Sequence, residues 1–99
     1  MARRYVLYLA DADLDEHETE ELGRILEQRH GRLKVIAVQE NSRAIIIRTT
    51  VEAVHDMREK SGEISLRGKQ VEAVLTSGVI GKLKKRATRS VMMRNGEIP

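Results

Sequence analysis

The chain has 99 residues, enough for one folded core and too few for a second. With 40% hydrophobic, 33% charged and 2% aromatic residues, that core must be small and aliphatic, and the absence of Cys excludes disulfides, thiolate zinc sites, iron–sulfur clusters and cysteine nucleophiles. The net charge is a mild +3, no run approaches the roughly 18 apolar residues of a membrane helix, and the stretch Met1–Leu9 is too short for a secretory signal, so a soluble, cytoplasmic protein with no membrane partner is expected.

Arg4 to Ala10 reads as a first strand, with Tyr5, Leu7 and Leu9 on one face and Val6, Tyr8 and Ala10 on the other, as in a central strand covered on both sides. In Asp13-Leu14-Asp15-Glu16 a capping carboxylate stands three residues ahead of a Glu, which predicts a helix over about residues 14–30. Its buried stripe is Leu22, Ile25 and Leu26, joined by Leu14 and the stem of Arg29, and His30-Gly31 stops it. Leu33–Gln39 and Ala44–Thr49 are β-rich runs joined by Glu40-Asn41-Ser42-Arg43, which suits a tight hairpin. Thr49-Thr50-Val51-Glu52 is a second capping box, opening a helix on Val51, Val54 and Met57 that runs through Glu59 to the Ser61-Gly62 stop. Residues 63–69 are either an irregular connection or a short extra strand before the Arg67-Gly68 turn. Val71, Ala73 and Leu75 alternate with Gln70, Glu72, Val74 and Thr76, predicting a last strand with one covered face and one open to solvent or a partner.

After Ser77-Gly78 a helix follows on which Val79, Ile80, Leu83 and Ala87 share one arc and Lys82, Lys85, Arg86 and Arg89 occupy the opposite one. Ser90 to Pro99 has no periodicity and is expected to fray, leaving a single domain over residues 1–89 and a flexible tail over 90–99. The order β-α-β-β-α-β predicts an α+β sandwich of the ferredoxin-like kind. It has a four-stranded antiparallel sheet, both main helices on one face, and an appended C-terminal basic helix.

Charge is distributed more tellingly than its total. Asp11–Glu21 holds seven acids and no Lys or Arg, whereas Lys82–Arg94 holds six bases and no acid, so two electrostatic poles are expected. Asp11, Asp13 and Asp15 imitate the start of a calcium loop, but Glu16 stands where Gly is required and Leu22 where a bidentate Glu is required; helix initiation is the better account. His17, His30 and His55 are scattered without a ligand or nucleophile at a useful spacing, and the glycines form no nucleotide-binding loop. No catalytic, metal or cofactor site is predicted, and whether the chain acts as an enzyme stays open, with catalysis by the chain alone disfavoured. The basic helix is either a solvated face or a phosphate-binding one. Two features favour phosphates: Ser77-Gly78 offers backbone N–H groups at the positive end of the helix, and Gly81 lets a backbone come close. The strand Ala44–Thr49 has no aromatic residue for stacking bases, which argues against conventional single-strand readout by the sheet; Tyr8 either stacks one base or packs. Arg48 either adds to a positive surface or pairs with Glu72.

Ile45-Ile46-Ile47-Arg48 before the second helix, and Val74-Leu75-Thr76-Ser77-Gly78-Val79-Ile80 leading into Lys82-Leu83-Lys84-Lys85-Arg86, resemble the small ferredoxin-like protein subunit of archaeal and eukaryotic ribonuclease P and its relative ribonuclease MRP. Arg3-Arg4-Tyr5-Val6 is similar to that family's opening strand, whereas the turn Glu40-Asn41-Ser42-Arg43 departs from its longer, Gly-containing hairpin. The resemblance implies a non-catalytic subunit that joins a second protein, through helix one or the sheet face, and helps a catalytic RNA trim precursor tRNA. Ser77, Gly78, Lys82, Lys85, Arg86 and Arg89 would contact the RNA. Two other classes share the element order or the charge pattern: a small-ligand regulatory module of the ACT type, for which the Ala10–Leu14 loop lacks Gly and is acidic, and a protein-interaction or homo-oligomeric module. An acylphosphatase-like enzyme lacks its phosphate-cradling loop.

Overall fold

A computed structural model describes residues 3–38, 41–59 and 64–94, the side chains of 58, 59 and 89–94 excepted. In chain order the elements are β1 (Arg3–Ala10), α1 (Glu16–His30), β2 (Lys34–Ala37), β3 (Ala44–Thr50), α2 (Val51–Glu59), β4 (Ile64–Leu66), β5 (Lys69–Ser77) and α3 (Ile80–Arg94). The strands form one antiparallel sheet in the order β2-β3-β1-β5-β4. The expected α+β architecture is present, but the sheet has five strands rather than four. The extra strand is the segment that the sequence left open. Ile64 and Leu66 alternate with Ser65, and Arg67 (φ 52°) and Gly68 (φ 84°) both adopt the positive φ that a two-residue hairpin turn requires. Both apolar side chains are buried at the sheet edge.

The sheet is covered on both faces. Val6, Tyr8 and Ala10 of β1 and Ile45 and Ile47 of β3 pack with Leu22 and Leu26 of α1 and Val54 and Met57 of α2. The alternate residues, Leu7 of β1 and Ala44 and Ile46 of β3, pack with Leu83 and Ala87 of α3, flanked by Tyr5, Leu9, Ile36 and Ile80. The reading of the first strand as central therefore holds, but the basic helix is no appendage. It closes the second face, which had been expected to stay open to solvent or a partner. One reason the sequence concealed this lies in β5. Leu7 pairs with Leu75 but Tyr8 with Ala73, so Val74 is an extra residue in a β-bulge. The bulge breaks the Val71–Ala73–Leu75 alternation, leaving Val71 in the α1–α2 core and moving Leu75 to the α3 core.

Helix starts are displaced from their expected positions. Asp15, not Asp13, caps α1: its carboxylate accepts from the Glu18 N–H at 2.8 Å while Glu18 Oε1 accepts from the Asp15 N–H at 3.0 Å. The α2 cap is Thr50, whose Oγ1 accepts from the Ala53 N–H at 3.2 Å, so Glu52 closes no capping box. Thr49 is buried and donates its hydroxyl to the Arg32 carbonyl. Val51, at the head of α2, is exposed instead of contributing to the stripe, and Ala53 takes its place in the interior. Gly31 (φ 94°) ends α1 as expected, its N–H bonded to the Glu27 carbonyl. The Ser61-Gly62 stop and the final residues 95–99 lie outside the described residues, and the α3 backbone continues through Arg94, into the segment expected to fray. Among the described residues no helix is long and apolar enough to cross a membrane.

Candidate nucleic-acid interface

Helix α3 lies on the sheet through Leu83 and Ala87, both fully buried. That anchoring sets the direction of every other side chain on its first turns. Lys82, Lys84, Lys85 and Arg86 all point to solvent, and none has an acidic partner among the described residues. The backbone of Arg89 continues the helix, and its side chain lies outside the description. Val79, placed on the apolar arc by periodicity, precedes the helix and is 57% exposed. A buried polar anchor also holds α3 at mid-length: Asn41, in the β2–β3 turn, donates Nδ2 to the Ala87 carbonyl at 3.0 Å and accepts the Arg43 N–H on Oδ1.

Ser77 does part of what was expected of it. Its Oγ accepts from the Val79 N–H at 3.0 Å, so one orphan donor ahead of the helix is already satisfied and only the hydroxyl proton remains to be given. At Gly78 a Cβ would stand 2.5 Å from the Arg4 guanidinium, so Gly78 makes room for an additional cation from β1 that the sequence pattern did not single out. Nothing lies within 4 Å of a Cβ at Gly81, which leaves an open approach beside Lys82 and Lys85.

Among the described residues no acid of the acidic pole pairs with these cations, and five of its seven acids are engaged elsewhere. Arg43 Nε lies 3.1 Å from Asp13 Oδ1, Lys69 Nζ 2.7 Å from Glu18 Oε1, and Arg67 Nε 3.1 Å from Glu21 Oε1. All three cations come from hairpin turns or their flanks, distant in sequence from the acids. The bonds from Ser42 and Arg43 hold the Asp13 carboxyl below its ordinary range; the Glu18 N–H does the same for Asp15, and Lys69 followed by the Asp15 N–H for Glu18. Asp11 accepts from the Gln70 N–H. Each of the three aspartates thus has its own structural partner, and no three acidic or His residues among those described converge as a metal site.

Other single-residue expectations resolve as follows. Tyr8 is 4% exposed on the α1–α2 face, so it packs and cannot stack on a base. Arg48 does not pair with Glu72: Arg48 is opposite Tyr5, whereas Glu72 is opposite Leu9 four residues further along β1. His30 turns inward, its Nδ1 2.7 Å from Asp56 Oδ2, and ties α1 to α2; His17 and His55 are exposed.

A second cationic feature emerges only in three dimensions. Arg3, Arg32, Lys34 and Arg48 line a cleft of about 480 Å³ at the end of the sheet, together with Leu33, Thr49 and Thr50. These residues span three strands and a loop, so no local motif announces them. No family model matches the chain, and no curated protein matches it.

Proposed function

We propose that this protein is a ferredoxin-like, non-catalytic RNA-binding subunit of a ribonucleoprotein, of the kind found in ribonuclease P, acting alongside a catalytic RNA and a second protein subunit. The observation that carries the reading is the outer face of α3. Four cations there are exposed and unpaired among the described residues, while three acids of the acidic pole, Asp13, Glu18 and Glu21, are held by Arg43, Lys69 and Arg67. The strand order β2-β3-β1-β5 matches that of a ferredoxin-like sandwich, with β4 added as an edge hairpin and α3 on the second face. In this reading Lys82, Lys85, Arg86 and Arg89 neutralise phosphates, and Ser77, Gly78 and Arg4 fix the approach at the head of the helix. Cleavage chemistry would belong to the RNA and its metal ions, and the exposed side of α1 remains for a protein partner.

Binding through phosphates releases counterions, at about −0.9 per contact in the slope of log affinity against log salt for a duplex. Four contacts give a slope of roughly −3.5. Replacing Lys82, Lys85, Arg86 and Arg89 by Gln is expected to remove most of that dependence on a structured RNA such as precursor tRNA. An unaltered slope in a folded variant would refute the interface.

A further inference from the structure

Lys34 and Arg48 are direct cross-strand partners, and their strands bring them to the same face as Tyr5, Leu7 and Ile36, the face that α3 covers. Arg3 is two residues from Tyr5 on β1 and therefore points to that face as well. Like charges directly opposite on neighbouring strands repel across about 5 Å, and nothing here offsets the repulsion: among the described residues none of Arg3, Arg32, Lys34 and Arg48 has an ion pair. Acids are absent from the lining of the cleft these four residues share. A fold that holds four cations together without a counter-charge in their lining, while Arg43, Lys69 and Arg67 each have an acid, has a place for an external anion. Three of the four cations, Arg3, Lys34 and Arg48, thus share the strand face on which α3 lies, and the cleft's volume of about 480 Å³ suits sugar–phosphate units of an extended strand rather than a whole duplex.

We infer that this cleft is a second phosphate-binding site, which receives a single-stranded stretch of the same RNA that α3 contacts. The inference rests on the RNA-binding reading above and adds a second set of contacts to it. Lys34 and Arg48 grip the phosphates, Arg3 and Arg32 flank them, and the bound strand relieves the cross-strand repulsion. Removing either charge of the Lys34–Arg48 pair therefore has opposite effects on folding and on binding, which a merely structural role would not give.

The test uses the full chain and a labelled single-stranded 20-nucleotide polyuridylate, with affinity measured between 50 and 200 mM salt. Single-strand contacts contribute about −0.7 each to the slope, so Lys34→Gln with Arg48→Gln should reduce it by about 1.4, separately from the loss caused by Lys82→Gln, Lys85→Gln and Arg86→Gln. Without RNA at low salt, the Lys34→Gln, Arg48→Gln variant should melt about 1–5 °C higher than the parent. If the α3 substitutions alter the slope and the cleft pair does not, the second site is overturned and the α3 reading stands. If neither set alters it, both fail. A lowered melting temperature with an unaltered slope marks Lys34 and Arg48 as structural. Protection by inorganic tripolyphosphate with no change in polyuridylate binding would assign the cleft to a small anion and overturn the RNA occupant.

Discussion

Single residues in this protein are decided by what the sheet places against them. Tyr8 is the plainest case: burial pushes its phenol up to about 12, against the opposing charge of Arg29. Because the folded value exceeds the ordinary 10.0, the contribution of the neutral phenol to stability is complete below pH 10 and is lost as pH rises from 10 towards 12. The two-unit difference corresponds to about 2–3 kcal/mol. In a Tyr5→Phe variant, where Tyr8 is the sole tyrosine, ultraviolet titration is expected to show ionisation near pH 12 or together with unfolding. Ionisation near pH 10 in a folded chain would contradict the packing. Gly23 gives a second residue-scale test, since a Cβ there would stand 2.7 Å from Val35 Cγ2, where α1 crosses β2. Ala gains about 1 kcal/mol of helix propensity, but crowding a stiff β-branched neighbour costs about 1–3 kcal/mol. Urea denaturation is expected to show Gly23→Ala destabilising by about 1 kcal/mol in the parent and stabilising in a Val35→Ala background. The residue types at the caps were legible in sequence, but their register was not. Asp13 and Asp15 both satisfy the local pattern, and the choice falls to Asp15 because Ser42 and Arg43, about 30 positions away, claim Asp13.

Among the elements, α3 has the most to distinguish its two faces. The amphipathic pattern identified its basic side correctly, since Lys82, Lys85 and Arg86 are exposed, but it made the apolar side look like a minor attachment. In the fold Leu83 is fully buried against the sheet residues Leu7 and Ile46. Leu83→Ala is therefore expected to cost about 2–5 kcal/mol, measured as a lowered urea midpoint, whereas an appended helix would lose less than about 0.5 kcal/mol. Replacing the outward cations should leave the midpoint nearly unchanged, which separates loss of RNA binding from loss of fold. The strands show the same limit of sequence patterning. Period-two alternation located β1, β3 and β5 within a residue or two, yet it misassigned Leu75, because one bulged residue reverses every side chain beyond it. For β4, three residues give too short an alternation to distinguish a strand from a loop, and only pairing with Lys69–Val71 settles the matter.

Across the whole molecule, five acids of the acidic pole, Asp11, Asp13, Asp15, Glu18 and Glu21, have partners within the fold, whereas Lys82, Lys84, Lys85 and Arg86 of α3 have none among the described residues. The matching sets the acid limit of stability. Asp13, Asp15 and Glu18 hold their protons more weakly in the fold than the ordinary values of 3.8 and 4.5 imply, so their contribution is complete above about pH 5 and is lost as pH falls below those values. Denaturation midpoints are expected to be level from pH 7 to 5 and to fall between pH 4 and 2, and Lys69→Met should lessen that fall. A midpoint independent of pH in this range would contradict the ion-pair geometry. The sequence by itself determined the type of every element but β4, the two-sided burial of β1, the acidic helix start and the basic helix, because each depends on periodicity or composition within about fifteen neighbouring residues. Tertiary structure alone decided which acids find partners, that α3 closes the second sheet face, and that Arg3, Arg32, Lys34 and Arg48 share one cleft. Those outcomes follow from strand register and helix packing, which bring residues from 14 to more than 50 positions apart to within side-chain reach, and no local pattern encodes them.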